Sequence, residues 1–274
     1  MKPMLFEYHH IDELPDLAAD EQIALEQKCD GVRLLVEVTP AGCQFFGANG
    51  TAISFAAATQ WFGKLEDQLR LPDPDFAVTL DGELMIEDGT YWVFDLPYLR
   101  FADRRLSVPG ETEFSDRRRM LEEIRTAFRP ELRLVPHAWS PADKIALVQA
   151  VIAVGGEGFM AKRLDAPYQP GVRVSHSVKA KFEWTADCVV MDWERGTGTG
   201  HADLGVYDAA GTLVRVGGCS LIGKPEVHRG LVVEVKFAHF RGAMIQPRMM
   251  RTRPDKRPEQ CTFDQFRPYS KEVV

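Results

Sequence analysis

With 274 residues, 45% of them hydrophobic and 27% charged, the chain is long enough for one large domain or two ordinary ones. No stretch approaches the roughly 18 unbroken apolar residues of a membrane helix, and the first ten residues carry no export signal, so a cytoplasmic, membrane-free protein is expected. The net charge of −7 argues against nucleic-acid affinity over the whole surface, yet between Arg241 and Arg257 six cations accompany one anion, Asp255, and a duplex responds to such a local field.

The elements can be read in chain order. Residues 17–27 have helical spacing, with Asp16 after Pro15 as the N-cap. Residues 31–39 and 43–46 read as strands of a hairpin around Pro40-Ala41-Gly42. A helix is expected over 55–71, stopped by Pro72-Asp73-Pro74-Asp75. Residues 78–86 and 91–96 are strands around the turn at 87–89. Residues 115–128 form an amphipathic helix with Met120, Leu121, Ile124 and Phe128 on one side, and residues 141–155 a second, capped by Ser140.

After Trp184 the pattern changes to short strands (188–193, 204–207, 213–217, 231–240) between Gly-rich turns such as 196–200. That spacing predicts a small all-β barrel or sandwich. The boundary is expected near 183–187, giving an α+β domain over 1–184 and a β domain over 185–274. Five scattered cysteines, odd in number and without a Cys-x-x-Cys pair, fit neither a zinc site nor a disulfide framework. They read as core or incidental residues.

The sharpest local signal is Lys28-Cys29-Asp30-Gly31-Val32-Arg33. Such a stretch also describes a surface turn, but its chemical reading is specific. A lysine amine can attack the α-phosphate of a nucleotide and store the nucleotide as a phosphoramidate. That chemistry needs carboxylates for a metal, cations for phosphate and an aromatic for the base. Downstream, in order, stand Asp81 and Glu83 in Asp81-Gly82-Glu83-Leu84, and Phe94 in Trp92-Val93-Phe94-Asp95. Glu157 follows in Gly155-Gly156-Glu157-Gly158-Phe159-Met160-Ala161-Lys162-Arg163, and Lys179 and Lys181 share one face of a strand.

Together these elements resemble the motifs of the covalent nucleotidyltransferases: ATP-dependent DNA ligases, RNA ligases and mRNA-capping enzymes. The resemblance runs from Lys2-Pro3-Met4-Leu5 to about residue 260. The stretches 161–170 and 247–260, the latter with Arg251, Arg253, Asp255 and Lys256, are similar to minimal bacterial and phage DNA ligases in particular. The resemblance implies an adenylation domain followed by an OB-fold domain, joined by a hinge, in a monomer that seals nicked duplex DNA. Lys28 would carry AMP, Glu26 would read adenine, and Phe94 would stack on it. Arg33 would meet the nucleotide or the nick phosphate. Glu83 would hold ribose or a metal, and Lys179 and Lys181 would grip the α-phosphate. Arg251, Arg253 and Lys256 would close over ATP, with Glu83, Glu157 and Asp255 as ligands for Mg²⁺ or Mn²⁺.

RNA ligase, capping-type guanylyltransferase and an inactive nucleic-acid-binding relative are the alternatives. Two departures stand out. Ala48 occupies the place of an arginine in Gly47-Ala48-Asn49-Gly50, and Ser177 stands where a bulkier residue often precedes the paired lysines. Both bear on efficiency or substrate preference, since neither is a nucleophile or metal position.

Overall fold

The computed structural model describes residues 1–9, 13–53, 65–66, 68–69, 75–128 and 132–266. The expected helix over 55–71 and its Pro-rich stop lie mostly outside these. Two compact units make up the chain: Met1–Val151 with Gly158–Ala180, and Ile152–Glu157 with Lys181–Val274.

From the start of the chain to the end of the first unit run β1 (Leu5–His9), α1 (Leu14–Ala19), β2 (Ile23–Gln27), β3 (Val32–Thr39), β4 (Gly42–Gly47), β5 (Phe76–Leu84), β6 (Tyr91–Phe101) and β7 (Arg104–Ser107). They are followed by α2 (Phe114–Ile124), β8 (Arg133–Leu134), β9 (His137–Ala138), α3 (Pro141–Ala153), β10 (Gly158–Arg163) and β11 (Arg173–Lys181). One sheet has the order β1-β11-β10-β2-β9, the other β4-β3-β5-β6-β7 with β8 beside β6. The second sheet buries Leu34, Val36, Val78, Leu80 and Val93 against Leu121 of α2 and Phe128 just beyond it. Met120 and Ile124 pack at the margin of that core, so the expected amphipathic face of the helix is the one it uses. Ser140 caps α3 by accepting from the Asp143 amide at 3.1 Å.

The expectation of a helix over 17–27 is corrected. α1 starts three residues earlier, with Pro15 in its first turn, and ends at Ala19. Asp20 is extended and its Oδ1 accepts from the Gln22 amide at 2.8 Å, a turn that interrupts the helical pattern. Ile23–Gln27 then forms a strand between β10 and β9. Ala24, Leu25 and Glu26 are all fully buried, so the run has no polar face. A short apolar run of that kind suits a doubly covered strand as well as a helix, and the pairing partners decide.

Two glycines have a steric reason. A Cβ on Gly31 would lie 2.5 Å from the Leu84 carbonyl oxygen, and one on Gly82 would lie 2.5 Å from that of Trp92. Only glycine lets β3, β5 and β6 come this close at the end where Lys28 and Glu83 sit.

The second unit carries β12 (Trp184–Gly196), β13 (Thr199–Tyr207), β14 (Leu213–Ser220), β15 (Val232–Phe237), β16 (His239–Phe240), β17 (Met244–Ile245) and β18 (Arg248–Thr252). Five of them form an antiparallel sheet, β14-β13-β12-β15-β18, whose two edge strands also approach each other. Its core is Val-rich and includes Cys188, Cys219 and Cys261, whose thiols burial pushes upward, that of Cys261 to about 11. These thiols stay protonated at neutral pH and pack as small apolar groups. Phe240 and Phe266 stack at 4.0 Å within this core.

Candidate active site

Lys28 leaves the end of β2, its amide donating to the Gly158 carbonyl at 2.9 Å, which ties the motif to the start of β10. A cavity of about 190 Å³ opens here within the first unit. All six of the unit's expected nucleotide-site residues line it: Glu26, Lys28, Arg33, Glu83, Phe94 and Lys179. Phe6, Met160 and Lys162, which the sequence reading gave no role, line it as well.

Each wall has a physical origin. Arg33 is held by Asp81, with Nε 3.0 Å from Oδ1 and Nη2 2.6 Å from Oδ2, and Tyr168 donates to the same Oδ2 at 2.6 Å. Burial disfavours charge on Arg33, but the Asp81 carboxylate more than offsets it and raises its pKa. The guanidinium lies against the rings of Phe6 and Phe94, 4.9 and 5.5 Å from their centroids. Two of the nitrogens expected to face phosphate are therefore engaged by Asp81, and Asp81 serves as their anchor.

A buried charge network runs from the cavity wall into the unit. Glu26 is fully buried, with Arg118 Nη1 3.2 Å from Oε1 and Lys162 Nζ 2.6 Å from Oε2. Lys162 Nζ also donates to the Phe94 carbonyl at 3.2 Å and lies 4.8 Å from the Phe94 ring centroid. Sequence reasoning passed over Arg118 and Lys162 because nothing local marks them. The available signal was a lysine at a buried position of β10, which requires a carboxylate partner.

The remaining expected residues belong to the second unit. Glu157 is buried, with Oε1 2.5 Å from Lys181 Nζ. Arg253 Nη1 lies 2.9 Å and Lys256 Nζ 2.7 Å from the Asp187 carboxylate. Arg251 Nε donates to Glu234 at 2.7 Å. Asp255 accepts from Arg253, and that hydrogen bond brings its pKa down to about 2. The cationic stretch is thus balanced by acids of β12 and β15 that a count along the sequence omits.

No protein-family model matches the chain. The multifunctional non-homologous end joining DNA repair protein LigD of Mycobacterium tuberculosis is 31% identical over 205 residues, 67% of this chain but 25% of that protein. The chain therefore spans about a quarter of this curated relative. The crystal structure of the ligase domain of M. tuberculosis LigD covers 96% of this chain and 98% of its own at 26% identity, with a TM-score of 0.54. A mycobacterial DNA ligase D complexed with ATP and MES matches over the same shares, at 26% identity and a TM-score of 0.56. The chain belongs to the ATP-dependent DNA ligase family.

Nothing in the structure explains the two departures from that family's pattern. Ala48 sits in a tight turn closed by the Gly50 amide on the Gly47 carbonyl at 2.8 Å. Ser177 is buried, with its Oγ 3.2 Å from His176 Nδ1. Among the described residues, no cluster of three or more His, Cys, Asp or Glu side chains forms a metal cage. Glu83, half-buried on the cavity wall, suits a magnesium ion that arrives on a nucleotide and needs only one or two carboxylates beside phosphates and water.

Proposed function

We propose that the chain acts as an ATP-dependent DNA ligase, joining a 5′-phosphate to a 3′-hydroxyl in nicked duplex DNA through AMP carried on Lys28. The observation that carries this reading is the gathering of Lys28, Glu26, Arg33, Glu83, Phe94 and Lys179 around one cavity. Similarity to ligase domains, one of them complexed with ATP, supports it.

In the first step Lys28 Nζ, as a free amine, attacks the α-phosphorus of ATP. An N–P bond forms, the P–O bond to the leaving pyrophosphate breaks, and the amine proton passes to solvent. Phe94 stacks on the base and Glu26 accepts from its exocyclic amine. Lys179 and Lys181 neutralise charge building on the α-phosphate oxygens, and Arg33 adds a fixed positive charge at the wall. A magnesium or manganese ion, held by Glu83 and Glu157, would add to that neutralisation when bound.

In the second step AMP moves from Lys28 to the DNA 5′-phosphate, restoring the amine. In the third the 3′-hydroxyl attacks that phosphate and AMP departs. We read the second unit as an OB-fold and the domain pair 1–184 and 185–274 as a monomeric enzyme. Arg251, Arg253, Asp255 and Lys256 would leave their acidic partners to orient the pyrophosphate.

The test is sealing of a nicked duplex whose 3′ side is either DNA or RNA, with ATP or GTP as the only nucleotide. Closure of the all-DNA nick from ATP alone is expected. Sealing only the RNA-containing nick, or use of GTP instead, would replace this reading with RNA repair or capping chemistry.

A further inference from the structure

We infer that Arg118, which does not line the cavity, is a positioning residue for nucleotide selection. It aims the Glu26 carboxylate, so that a base presenting an amine is accepted and one presenting a carbonyl is refused. The inference rests on the reading of the cavity as the nucleotide site.

Glu26 is fully buried on a central strand, backbone-paired with Met160 on one side and His137 on the other. A carboxylate only accepts hydrogen bonds, so the direction in which it is held decides which base edge it can meet. Two cations hold it. Arg118 meets Oε1 through Nη1, and its other nitrogens are fixed by the Val135 carbonyl at 3.0 Å and by Glu122 Oε1 at 3.2 Å. Its direction is therefore set on three sides, and its side chain is only 2% exposed.

The Lys162 ammonium faces Oε2 at 2.6 Å. Oε2 makes no hydrogen bond among the described residues. It therefore keeps acceptor capacity for a ligand N–H. A carbonyl oxygen placed there would meet a full negative charge and gain nothing, and a site built to bond one group rejects its analogue by leaving a buried polar group unsatisfied.

The test compares labelling of Lys28 from ATP and from inosine triphosphate, which presents a carbonyl in place of the 6-amine. Wild type, Arg118→Gln and Arg118→Lys are measured, with separate kcat and KM. Arg118→Gln should lower the ATP-to-ITP preference by about 10-fold or more, the scale of one hydrogen bond to a charged group, mainly through a higher KM for ATP. Arg118→Lys should restore most of the preference. Should Arg118→Gln not fold, Glu122→Gln decides. Glu122 is 44% exposed and meets the guanidinium at Nε, away from the Nη1 that holds Glu26, as well as His137, and its loss should cost a smaller, roughly threefold part of the preference. An unchanged preference in the variants, with both nucleotides slowed in proportion, overturns the role of Arg118 alone. If wild type takes label from neither nucleotide, the nucleotide reading of the cavity falls instead.

Discussion

Arg117 grips Asp95 at both carboxylate oxygens, Nε to Oδ1 at 2.7 Å and Nη2 to Oδ2 at 3.1 Å, and each side chain is 1% exposed. Burial alone would raise the Asp95 pKa, but Arg117 and Lys162 together offset it and hold the carboxyl below its usual range. Arg117 Nη1 also bonds the Thr112 and Ala166 carbonyls, so one guanidinium joins α2, β6 and the loop before β11. Removing one partner of such a pair leaves an uncompensated buried charge. Arg117→Met should therefore cost about 3–5 kcal/mol in urea unfolding. A cost under about 1 kcal/mol would show that the pair does not organise this unit.

Phe94 sits one residue before Asp95 on the cavity wall and is only partly buried. Phe94→Ala should raise the KM for ATP about 10-fold or more, since stacking on a base is worth ~1–3 kcal/mol. The fold should persist, because the side chain is not in the core. Equal KM values for the variant and wild type would remove Phe94 from the base-binding role.

The Lys28 stretch was legible in the sequence because its chemistry demands a set of partners whose residue types can be sought downstream. The strands that carry them alternate clearly enough to place. Other features were not legible. The run at Ile23–Gln27 is buried on both faces and so carries no period, and only its pairing with β10 and β9 shows it to be a strand. Glu26 and Arg118 are 92 positions apart and meet through tertiary packing. The acids that balance the cationic stretch, Asp187 and Glu234, lie on neighbouring strands, out of reach of a local charge count.

Gly31→Ala tests whether the close approach behind Lys28 matters. The added Cβ would fall 2.5 Å from a backbone oxygen and 3.0 Å from Glu83 Cγ, so β5 or the Lys28 turn must shift. Overpacking of this kind costs ~1–3 kcal/mol. The expected result is a folded protein with labelling of Lys28 reduced by at least 10-fold, a displacement of reacting groups having that scale. Full labelling would mean that the turn tolerates the shift.

His137 lies 3.2 Å from Glu122, and its pKa is lowered to about 4, first by burial and then by the Arg118 charge. Between pH 4 and 6.5 the unfolded chain binds the proton that the folded imidazole refuses, so stability must rise with pH across that window. Stability measured by urea should therefore fall as pH drops from about 6.5 towards 4. His137→Gln should flatten the part of the slope due to this residue. Identical slopes for the variant and wild type would assign the dependence to other groups.

The most direct test of the central claim is peptide mass mapping after the protein is incubated with ATP and Mg²⁺, then quenched under conditions that preserve phosphoramidates. The account predicts AMP on the peptide containing Lys28, lost when inorganic pyrophosphate is added and absent from Lys28→Ala. AMP on another residue, or Lys28→Ala still sealing nicks from ATP, would contradict it.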